Sequence, residues 1–397
     1  MDLIHERYAG MDISKRDAKV CVRIPGERRN TFSKKITVHG AMHHDIQTLC
    51  DYLVAEEVTL VVMEATGDYW KPFFYGLEND LNVILVNARH AKNLPGRKTD
   101  VSDAQWLAEL AAHGLVRASF IPPWPIRQLR DLTRQRTLLT AERSRETQRL
   151  EKLIESTGIK YTSIATRTLG VSGRAFLEAL IAGETNADTL AGLAKGRLQN
   201  KTEQLRLALQ GNFTDHHGKL VRLHLDRFDM IKMQINALPD LINDLITKHQ
   251  LDWAKELLTT IPGIGATGAE NIIAETGVDM GAFETSAHLT SWAGVCPGQY
   301  ESAGKSRSGK TRPGNTYLRG ALGIAAMAAA RTNGSFFQAR YRKLAARRGP
   351  MRALVAIEHS MLTAIWYMLT NQQPYQDHGL PHARGAAGQP QPQAQLA

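Results

Sequence analysis

The stretch from Val58 to Glu64 (VTLVVME) decides the fold of the first part of the chain. It is a short, continuous apolar run that ends on a carboxylate, and such runs are typical of strands buried on both faces of a sheet. A second run of this kind, from Val83 to Val86, follows a helical pattern. Buried strands that are separated by helices predict an α/β layer architecture.

The residues ahead of this run predict further strands. Apolar and polar side chains alternate at 20–24, a Pro-Gly turn follows, and a second alternating stretch occupies 31–38. With 9–13 in front, these stretches indicate an antiparallel set of strands. The sequence therefore predicts a mixed sheet within an α/β domain. The predicted helices of this domain lie at 43–53, at 69–79 and from Asp100 onward.

Four carboxylates are placed to meet at one edge of this sheet. Asp12 ends the first strand and Glu64 ends the buried one. Asp100 and Asp103 lie three residues apart, so both project from one face of the closing helix. Sites in open α/β sheets gather beyond the carboxyl ends of the strands, and we expect these segments to meet there. The alternative for each acid taken alone is a capping or turn residue.

Such a cluster of carboxylates indicates a metal site. Oxygen ligands suit Mg²⁺ or Mn²⁺. A pair of such ions stabilises both the entering and the leaving oxygen of a phosphodiester displacement. The acids therefore predict metal-assisted chemistry on a phosphodiester.

The composition favours a nucleic-acid-binding protein of the cytoplasm. The 397 residues are 43% hydrophobic, enough for roughly two or three domains, and carry a formal net charge of +10. This charge indicates a polyanionic partner, of which nucleic acid is the commonest and a membrane surface the rival. No apolar run is long enough to span a bilayer, and residues 1–6 lack the features of a signal peptide. Three scattered cysteines fit a reducing compartment and argue against disulfides and structural zinc.

A long amphipathic segment, 126–154, follows a proline-rich boundary at 122–125. It predicts a helix that packs on a partner helix or in a coiled coil, and we expect self-association; the alternative is a helical bundle within one chain. Its arginine-rich face either contacts a phosphate backbone or is solvated. His216 and His217 have no Cys or acid at ligand spacing, which favours surface residues over a metal site. The arginines of that face are Arg127, Arg130, Arg134, Arg136, Arg143, Arg145 and Arg149.

The segment 257–273 has the form of a helix-hairpin-helix. Gly263 and Gly265 allow the tight turn, and backbone N–H groups at the start of the second helix are available to a phosphate oxygen. The alternative is a turn used only for packing. The loop 299–315 is rich in Gly, Ser, Lys and Arg, as in a phosphate-facing surface or a flexible surface loop. We expect nucleic-acid contacts from Gly263, Gly265, Lys305, Arg307, Lys310, Arg312 and Arg319, whereas composition does not choose among Ser302, Ser306 and Ser308.

These patterns divide the chain into four regions. An α/β domain occupies 1–118, a helical and coiled-coil region 119–250, and a mostly α-helical domain with the helix-hairpin-helix 251–370. Gln, Pro, Gly and Ala dominate 371–397, which predicts a disordered tail.

Several motifs, in the same order along the chain, resemble one family of bacterial insertion-sequence transposases. In the first domain they are GMDISK at 10–15, MEATGDYW at 63–70 and KTDVSDA at 98–104. In the second domain they are ESAGK at 301–305, GN at 314–315 and LR at 318–319. The resemblance implies a RuvC-like, ribonuclease-H-type Asp-Glu-Asp-Asp domain followed by a serine transposase domain.

The same resemblance implies a DNA strand-exchange reaction. Ser302 is then the nucleophile that attacks a DNA phosphodiester, forms a phosphoserine link and frees a 3′ hydroxyl. Asp12, Glu64, Asp100 and Asp103 are the expected ligands of Mg²⁺ or Mn²⁺. The expected partners are the DNA ends and target, a structured guide RNA, and further copies of the chain in a dimer or tetramer with an active site composed from different protomers. The alternatives are a metal-dependent, junction-resolvase-like nuclease without covalent serine chemistry and a non-catalytic nucleic-acid scaffold.

Overall fold

The computed structural model describes residues 6–26, 31–64, 67–87, 103–115, 118–298 and 311–377, and the backbone at 301–302 and 305–306. The chain forms two compact units, Met1–Ile121 and Pro122–Ala397. The division falls at the start of the proline-rich boundary seen in the sequence. The regions predicted as a helical middle and a C-terminal domain belong to the same unit.

The first unit is built on a five-stranded sheet with the strand order β3-β2-β1-β4-β5. Strands β1, β2 and β3 are antiparallel neighbours, whereas β4 is parallel to both β1 and β5. The predicted mixed sheet in an α/β unit is confirmed. All of β4 is buried, as its continuous apolar run requires. The strands are β1 Tyr8–Ile13, β2 Asp17–Pro25, β3 Phe32–Gly40, β4 Leu60–Glu64 and β5 Val83–Val86.

Helices cover both faces of this sheet: α1 (His43–Ala55), α2 (Trp70–Leu77) and α3 (Asp103–Ala112). Met11 and Met63 lie in one apolar cluster with residues of α1 and α2. Tyr8 and Leu60 lie in a second cluster with residues of α3. This separation follows from the pleat, because successive side chains of a strand point to opposite faces.

The second unit begins with α4 (Trp124–Ser156), α5 (Val171–Ile181), α6 (Ala187–Gly192), α7 (Thr202–Ala208) and α8 (Asp215–Lys248), with 3₁₀ turns at Tyr161–Ser163 and Gly196–Lys201. The long helices α4 and α8 pack along each other. Leu150 and Ile154 of α4 share a core with the shorter helices and with Leu225 of α8. The predicted long helix therefore has a partner within its own chain, as in the bundle alternative. His217 forms a capping box with Thr214 at the start of α8.

The chain continues through α9 (Asp252–Thr259), α10 (Ala266–Thr276), a 3₁₀ turn (Met280–Ala282), α11 (Ser286–Ala293), β6 (Glu301–Ser302), β7 (Lys305–Ser306), α12 (Thr316–Ala329), α13 (Phe336–Arg348) and α14 (Pro350–Asn371). Four of these helices, α9, α11, α12 and α13, pack against α14. Among the residues that the structure describes, α14 is the one helix long and apolar enough to cross a membrane. Ile357, Met361 and Ile365 are fully buried. Its apolar composition is accounted for by this central place in a helical domain.

The start of the predicted tail is packed on the second unit. The ring of Tyr375 stacks on that of Phe337, with centroids 5.5 Å apart. The Tyr375 backbone N–H donates to Thr260 Oγ1 at 3.0 Å, and the carboxylate of Asp377 accepts from the Phe336 N–H at 2.9 Å. The rest of the tail, 378–397, lies outside the described residues.

Candidate active site and nucleic-acid interface

Asp12 and Glu64 lie side by side near the carboxyl ends of two parallel strands. Met11 of β1 is opposite Met63 of β4, so the next residue on each strand is an acid. Both acids have the parity of the residues that face α3, because side chains alternate along a strand. Adjacent strands are about 4.8 Å apart. The fold therefore brings two of the predicted acids to one face of the sheet.

Asp103 is the first residue of α3, and this helix lies against β1. A Cβ on Gly10 would be 2.2 Å from the carbonyl oxygen of Ala104. Asp103 precedes Ala104, and Asp12 lies two residues beyond Gly10. The start of α3 is thus close to the edge of the sheet that carries the other acids.

The acids that the structure describes fit a hard divalent cation by their chemistry. All are carboxylates, the ligand type that Mg²⁺ and Mn²⁺ favour. Glu64 is only 5% exposed, whereas Asp12 and Asp103 are half-buried. Asp100 lies outside the described residues. Within the described part of the chain, no three His, Cys, Asp or Glu side chains are close enough to hold a metal ion together. Asp12, Glu64 and Asp103 therefore do not form a three-carboxylate metal site by themselves.

Ser302 lies on a short two-stranded hairpin. Strand β6 pairs antiparallel with β7, with Ser302 opposite Lys305. An antiparallel bridge between Pro297 and Thr311 closes the stem of this hairpin. Outside the described residues lie Arg307 and Lys310, and likewise the side chains of Ser302 and Lys305.

The stem is held by close backbone packing and borders a cavity. Gly294 ends α11 with a φ of +76°, and a Cβ there would lie 2.8 Å from the backbone of Gly314. Arg312 is exposed and lines this cavity, so a basic residue borders it. The cavity has a volume of about 270 Å³ and is lined by Ser291, Cys296, Pro297, Gly298 and Arg312.

Arg319 lies in the first part of α12, next to the stem. Its Nη2 donates to Thr311 Oγ1 at 3.5 Å. Its Nε is buried and has no hydrogen-bond partner among the described residues. Burial raises the pKa of Glu358 in α14, and the positive charge of Arg319 opposes that rise. Arg319 therefore lies beside the stem and is joined to it by one long hydrogen bond.

The two glycines of the helix-hairpin-helix have different roles. Gly263 has a φ of +91°, and a Cβ there would lie 2.4 Å from the carbonyl oxygen of Ala325 in α12. Gly265 caps α10 with a φ of −92°, and a Cβ there would meet nothing within 4 Å. Gly263 is thus required for packing, as in the alternative reading. Gly265 instead leaves the N-terminus of α10 open to an anion.

Part of the arginine face of α4 contacts buried carboxylates of α10. Arg134 donates two hydrogen bonds to the carboxylate of Glu275, at 2.7 and 2.8 Å. Arg130 donates to the backbone carbonyls of Ala274 and Glu275, at 2.9 and 2.8 Å. Burial lowers the pKa of Arg134, but the hydrogen bonds and the charge of Glu275 raise it overall. Both arginines therefore make their hydrogen bonds to α10 within the protein.

A second buried carboxylate makes the same kind of contact. Glu270 lies 2.6 Å from Arg136 Nη1 and 2.8 Å from Lys255 Nζ. Arg136 also donates to Asn271 Oδ1 at 2.9 Å. The interpretation of this face as solvated or phosphate-bound is therefore wrong for Arg130, Arg134 and Arg136. The physical reason is that α10 presents two buried acids to it.

Sequence reasoning missed Glu270 and Glu275. They lie five residues apart in α10, a helix whose other positions are mostly buried. Glu270 is 5% exposed and Glu275 is 1% exposed. Acids inside a buried helical pattern need cationic partners, because an unpaired buried charge is costly. The closely spaced arginines of α4 were the available signal.

Two family models match this chain. One, the transposase model for Asp-Glu-Asp-Asp proteins of IS110 elements, covers residues 9–159. The other, described as a transposase of the IS116/IS110/IS902 family, covers residues 255–342. The chain belongs to the IS110 family of transposases. The first match contains the acidic edge of the sheet, and the second contains the helix-hairpin-helix and the serine hairpin.

Curated relatives of this IS110-family chain match over different lengths. The transposase for insertion sequence element IS1111A of Coxiella burnetii is 26% identical over 328 residues, 80% of each chain. The protein y4pF/y4sB of Sinorhizobium fredii is 27% identical over 187 residues, 46% of this chain, so the match spans about half (47%) of that relative. A 43.6 kDa protein of insertion element IS110 from Streptomyces coelicolor is 37% identical over 97 residues, 24% of this chain and 23% of the relative.

Family membership agrees with the chemistry of the acidic edge. Transposases of the Asp-Glu-Asp-Asp type generally use divalent metal and act on DNA. The carboxylates of Asp12, Glu64 and Asp103 are ligands of the kind that such metals take.

The two helix-hairpin-helix glycines should respond differently to alanine. Gly263→Ala should lower the free energy of unfolding by about 3 kcal/mol or more, since the new Cβ combines a positive φ with overlap against α12. Gly265→Ala should lower it by no more than about 1 kcal/mol, the usual scale of a changed helix cap. Chemical denaturation followed by circular dichroism measures both. Equal losses for the two variants would contradict the assignment.

Proposed function

We propose that this IS110-family transposase cuts and exchanges DNA strands at insertion-sequence ends through a covalent bond between Ser302 and DNA, in the bacterial cytoplasm and on nucleoid DNA. The observation that carries the proposal is the serine hairpin, whose stem is bordered by Arg312 and Arg319. The metal-binding part of the proposal is supported by the positions of Asp12 and Glu64, each one residue beyond the paired Met11 and Met63.

The reaction balances as a transesterification. Ser302 Oγ attacks phosphorus and loses its proton to a base or solvent, the Oγ–P bond forms, and the bond between phosphorus and the 3′ oxygen breaks. The departing 3′ oxygen takes up a proton and becomes a 3′ hydroxyl. A 3′ hydroxyl of another strand then attacks the phosphoserine, which restores the serine and joins the new strands. One phosphoester bond forms for each that breaks, so no external energy is needed.

The chain's own charges suit this chemistry. Arg312 and Arg319 neutralise the phosphate and align it with the hydroxyl, because charge-assisted hydrogen bonds are strong and directional. A divalent ion bound by Asp12, Glu64, Asp100 and Asp103 would supply Lewis-acid stabilisation of charge on the phosphate oxygens.

We further propose that a structured RNA from the element supplies sequence recognition. The net charge of +10 and the open N-terminus of α10 at Gly265 favour contacts with nucleic-acid backbones. Backbone contacts position a nucleic acid but carry no sequence information. Base pairing to an RNA would provide that information.

Ser302→Ala should abolish the covalent protein-DNA adduct, with a loss of at least about 1,000-fold in its rate of formation. The assay contains Mg²⁺, DNA bearing the element ends, and RNA transcribed from the noncoding DNA beside the gene. Adducts are separated on denaturing gels. The matched control is Ser306→Ala, which changes the serine on the paired strand β7 and should keep the adduct.

The same gels distinguish the alternatives. Adduct formation by Ser302→Ala would show that another residue is the nucleophile. Normal cutting by Ser302→Ala, with no adduct from the unmodified protein, would favour the junction-resolvase-like nuclease.

Asp12→Asn should lower the rate of adduct formation by about 100-fold or more, because the amide keeps the size of the side chain and removes a charge that holds the cation. DNA affinity should stay within about threefold, as affinity is set mainly by basic residues. The control is Asp17→Asn, an exposed aspartate at the start of β2. A non-catalytic scaffold would be indifferent to both substitutions.

We also propose that the protein forms a dimer, alone or within a tetramer, through an exposed face of α8. Leu223, Met230 and Leu241 are 66%, 59% and 50% exposed. Their spacing puts them on one side of the helix. The surrounding charges favour a second copy in antiparallel orientation. Lys219, which also forms an ion pair with Asp215 at 2.8 Å, and Asp244 are exposed and about equally far from the middle of the apolar face. Antiparallel pairing would therefore place Lys219 of one copy near Asp244 of the other, whereas parallel pairing would oppose like charges.

Replacing both Leu223 and Met230 by Glu should raise the dimer dissociation constant by about 100-fold or more, because charges would be buried without partners. Sedimentation velocity on nucleic-acid-free protein measures it. The control is Leu207→Glu, at a leucine of α7 that is 62% exposed. Lys219→Asp should weaken the dimer, and adding Asp244→Lys should restore it. An unchanged dimer in the Glu variant would rule out this face.

A further inference from the structure

Asn315 connects the start of α12 to the buried carboxylate of Glu275. Its Nδ2 donates to Glu275 Oε2 at 2.6 Å. Its Oδ1 accepts from the backbone N–H groups of Tyr317 and Leu318, each at 3.1 Å. One side-chain amide therefore both caps α12 and ties it to α10.

Glu275 is itself held from the other side by α4. It is 1% exposed, and Arg134 makes two hydrogen bonds with its carboxylate. The guanidinium of Arg134 also lies 4.6 Å from the centroid of the Tyr317 ring. A bidentate arginine restricts a carboxylate in both position and orientation. The oxygen that receives Asn315 is thus fixed relative to α4.

Asn315 ends the returning arm of the serine hairpin. This arm begins at Thr311, which bridges to Pro297. It passes Gly314, where a Cβ would lie 2.2 Å from the carbonyl oxygen of Ala293. The arm is only a few residues long, so the position of Asn315 at the start of α12 determines where the end of the arm lies. Among the side-chain hydrogen bonds of Asn315 to described residues, the one to Glu275 reaches beyond α12.

We infer that Glu275 is a positioning residue for strand exchange, which acts by fixing Asn315 and, through it, the returning arm of the Ser302 hairpin. The inference rests on the proposed function of Ser302 for its effect on rate. A displacement of a reacting group by about 1 Å costs on the order of 100-fold in rate. Loss of the link should therefore slow the chemistry of bound DNA more than it affects folding or DNA affinity.

Three variants separate the link from the cap. Asn315→Ser keeps an oxygen that caps α12 but removes the donor to Glu275. Asn315→Asp keeps the cap and places a second carboxylate against Glu275. The double variant Asn315→Asp with Glu275→Gln lets the new amide donate to the new carboxylate and keeps the total charge, but it gives up one of the two hydrogen bonds from Arg134.

The rate of adduct formation at saturating DNA should fall by about tenfold or more in Asn315→Ser and further in Asn315→Asp. The double variant should be faster than Asn315→Asp but slower than the unmodified protein, because the link is restored while Arg134 keeps only one of its two hydrogen bonds to residue 275. DNA affinity and the thermal midpoint should change little in Asn315→Ser. The inference would be overturned if Asn315→Ser formed the adduct as fast as the unmodified protein. It would also be overturned if the double variant were no faster than Asn315→Asp.

Hydrogen–deuterium exchange of the segment 311–318 tests the positioning role of Glu275 without relying on the reaction with DNA. Exchange should rise in Asn315→Asp and return toward the unmodified level in the double variant. If the unmodified protein forms no adduct, the proposed function of Ser302 fails. Hydrogen–deuterium exchange then decides by itself whether Glu275 positions the arm. Equal exchange in all variants would then overturn the positioning role.

Discussion

The first unit depends on one backbone contact, the approach of α3 to β1 at Gly10. Any side chain there would overlap backbone atoms of α3, so glycine allows the helix to lie directly on the strand. That closeness brings Asp103 toward the strand ends that carry Asp12 and Glu64. The described acids alone do not make a metal site, because no three of them are close enough to share an ion.

The second unit uses buried carboxylates for a different purpose. Glu270 and Glu275 bind arginines of α4, and Glu275 also receives Asn315. Buried ion pairs add little net stability, since desolvation offsets their attraction, but loss of one partner costs about 3–5 kcal/mol. Their effect here is to define which surfaces of α4, α10 and α12 meet. The serine hairpin is attached to that defined set of helices.

The parts of this structure that sequence could predict are those with a local pattern. Alternation and continuous apolar runs located the strands, and the pleat places Asp12 and Glu64 on one face. The partners of Arg134 and Asn315 could not be found in that way. An amphipathic pattern shows which face of α4 is polar but not what lies against it, and Glu275 is 141 residues from Arg134. The choice of Ser302 among nearby serines came from family resemblance alone.

Most of the excess positive charge of the protein lies elsewhere than on the inner arginines of α4. Arg130 and Arg134 share Glu275, and Arg136 shares Glu270 with Lys255, so each group keeps only one positive charge in excess. Helix α13 carries basic residues and no acid. Counterion release, and hence affinity for nucleic acid, grows with the number of phosphates that exposed cations neutralise. This makes α13 and the stem of the serine hairpin stronger candidates for the nucleic-acid surface than α4. The exposed cations of α13 are Arg342, Lys343, Arg347 and Arg348.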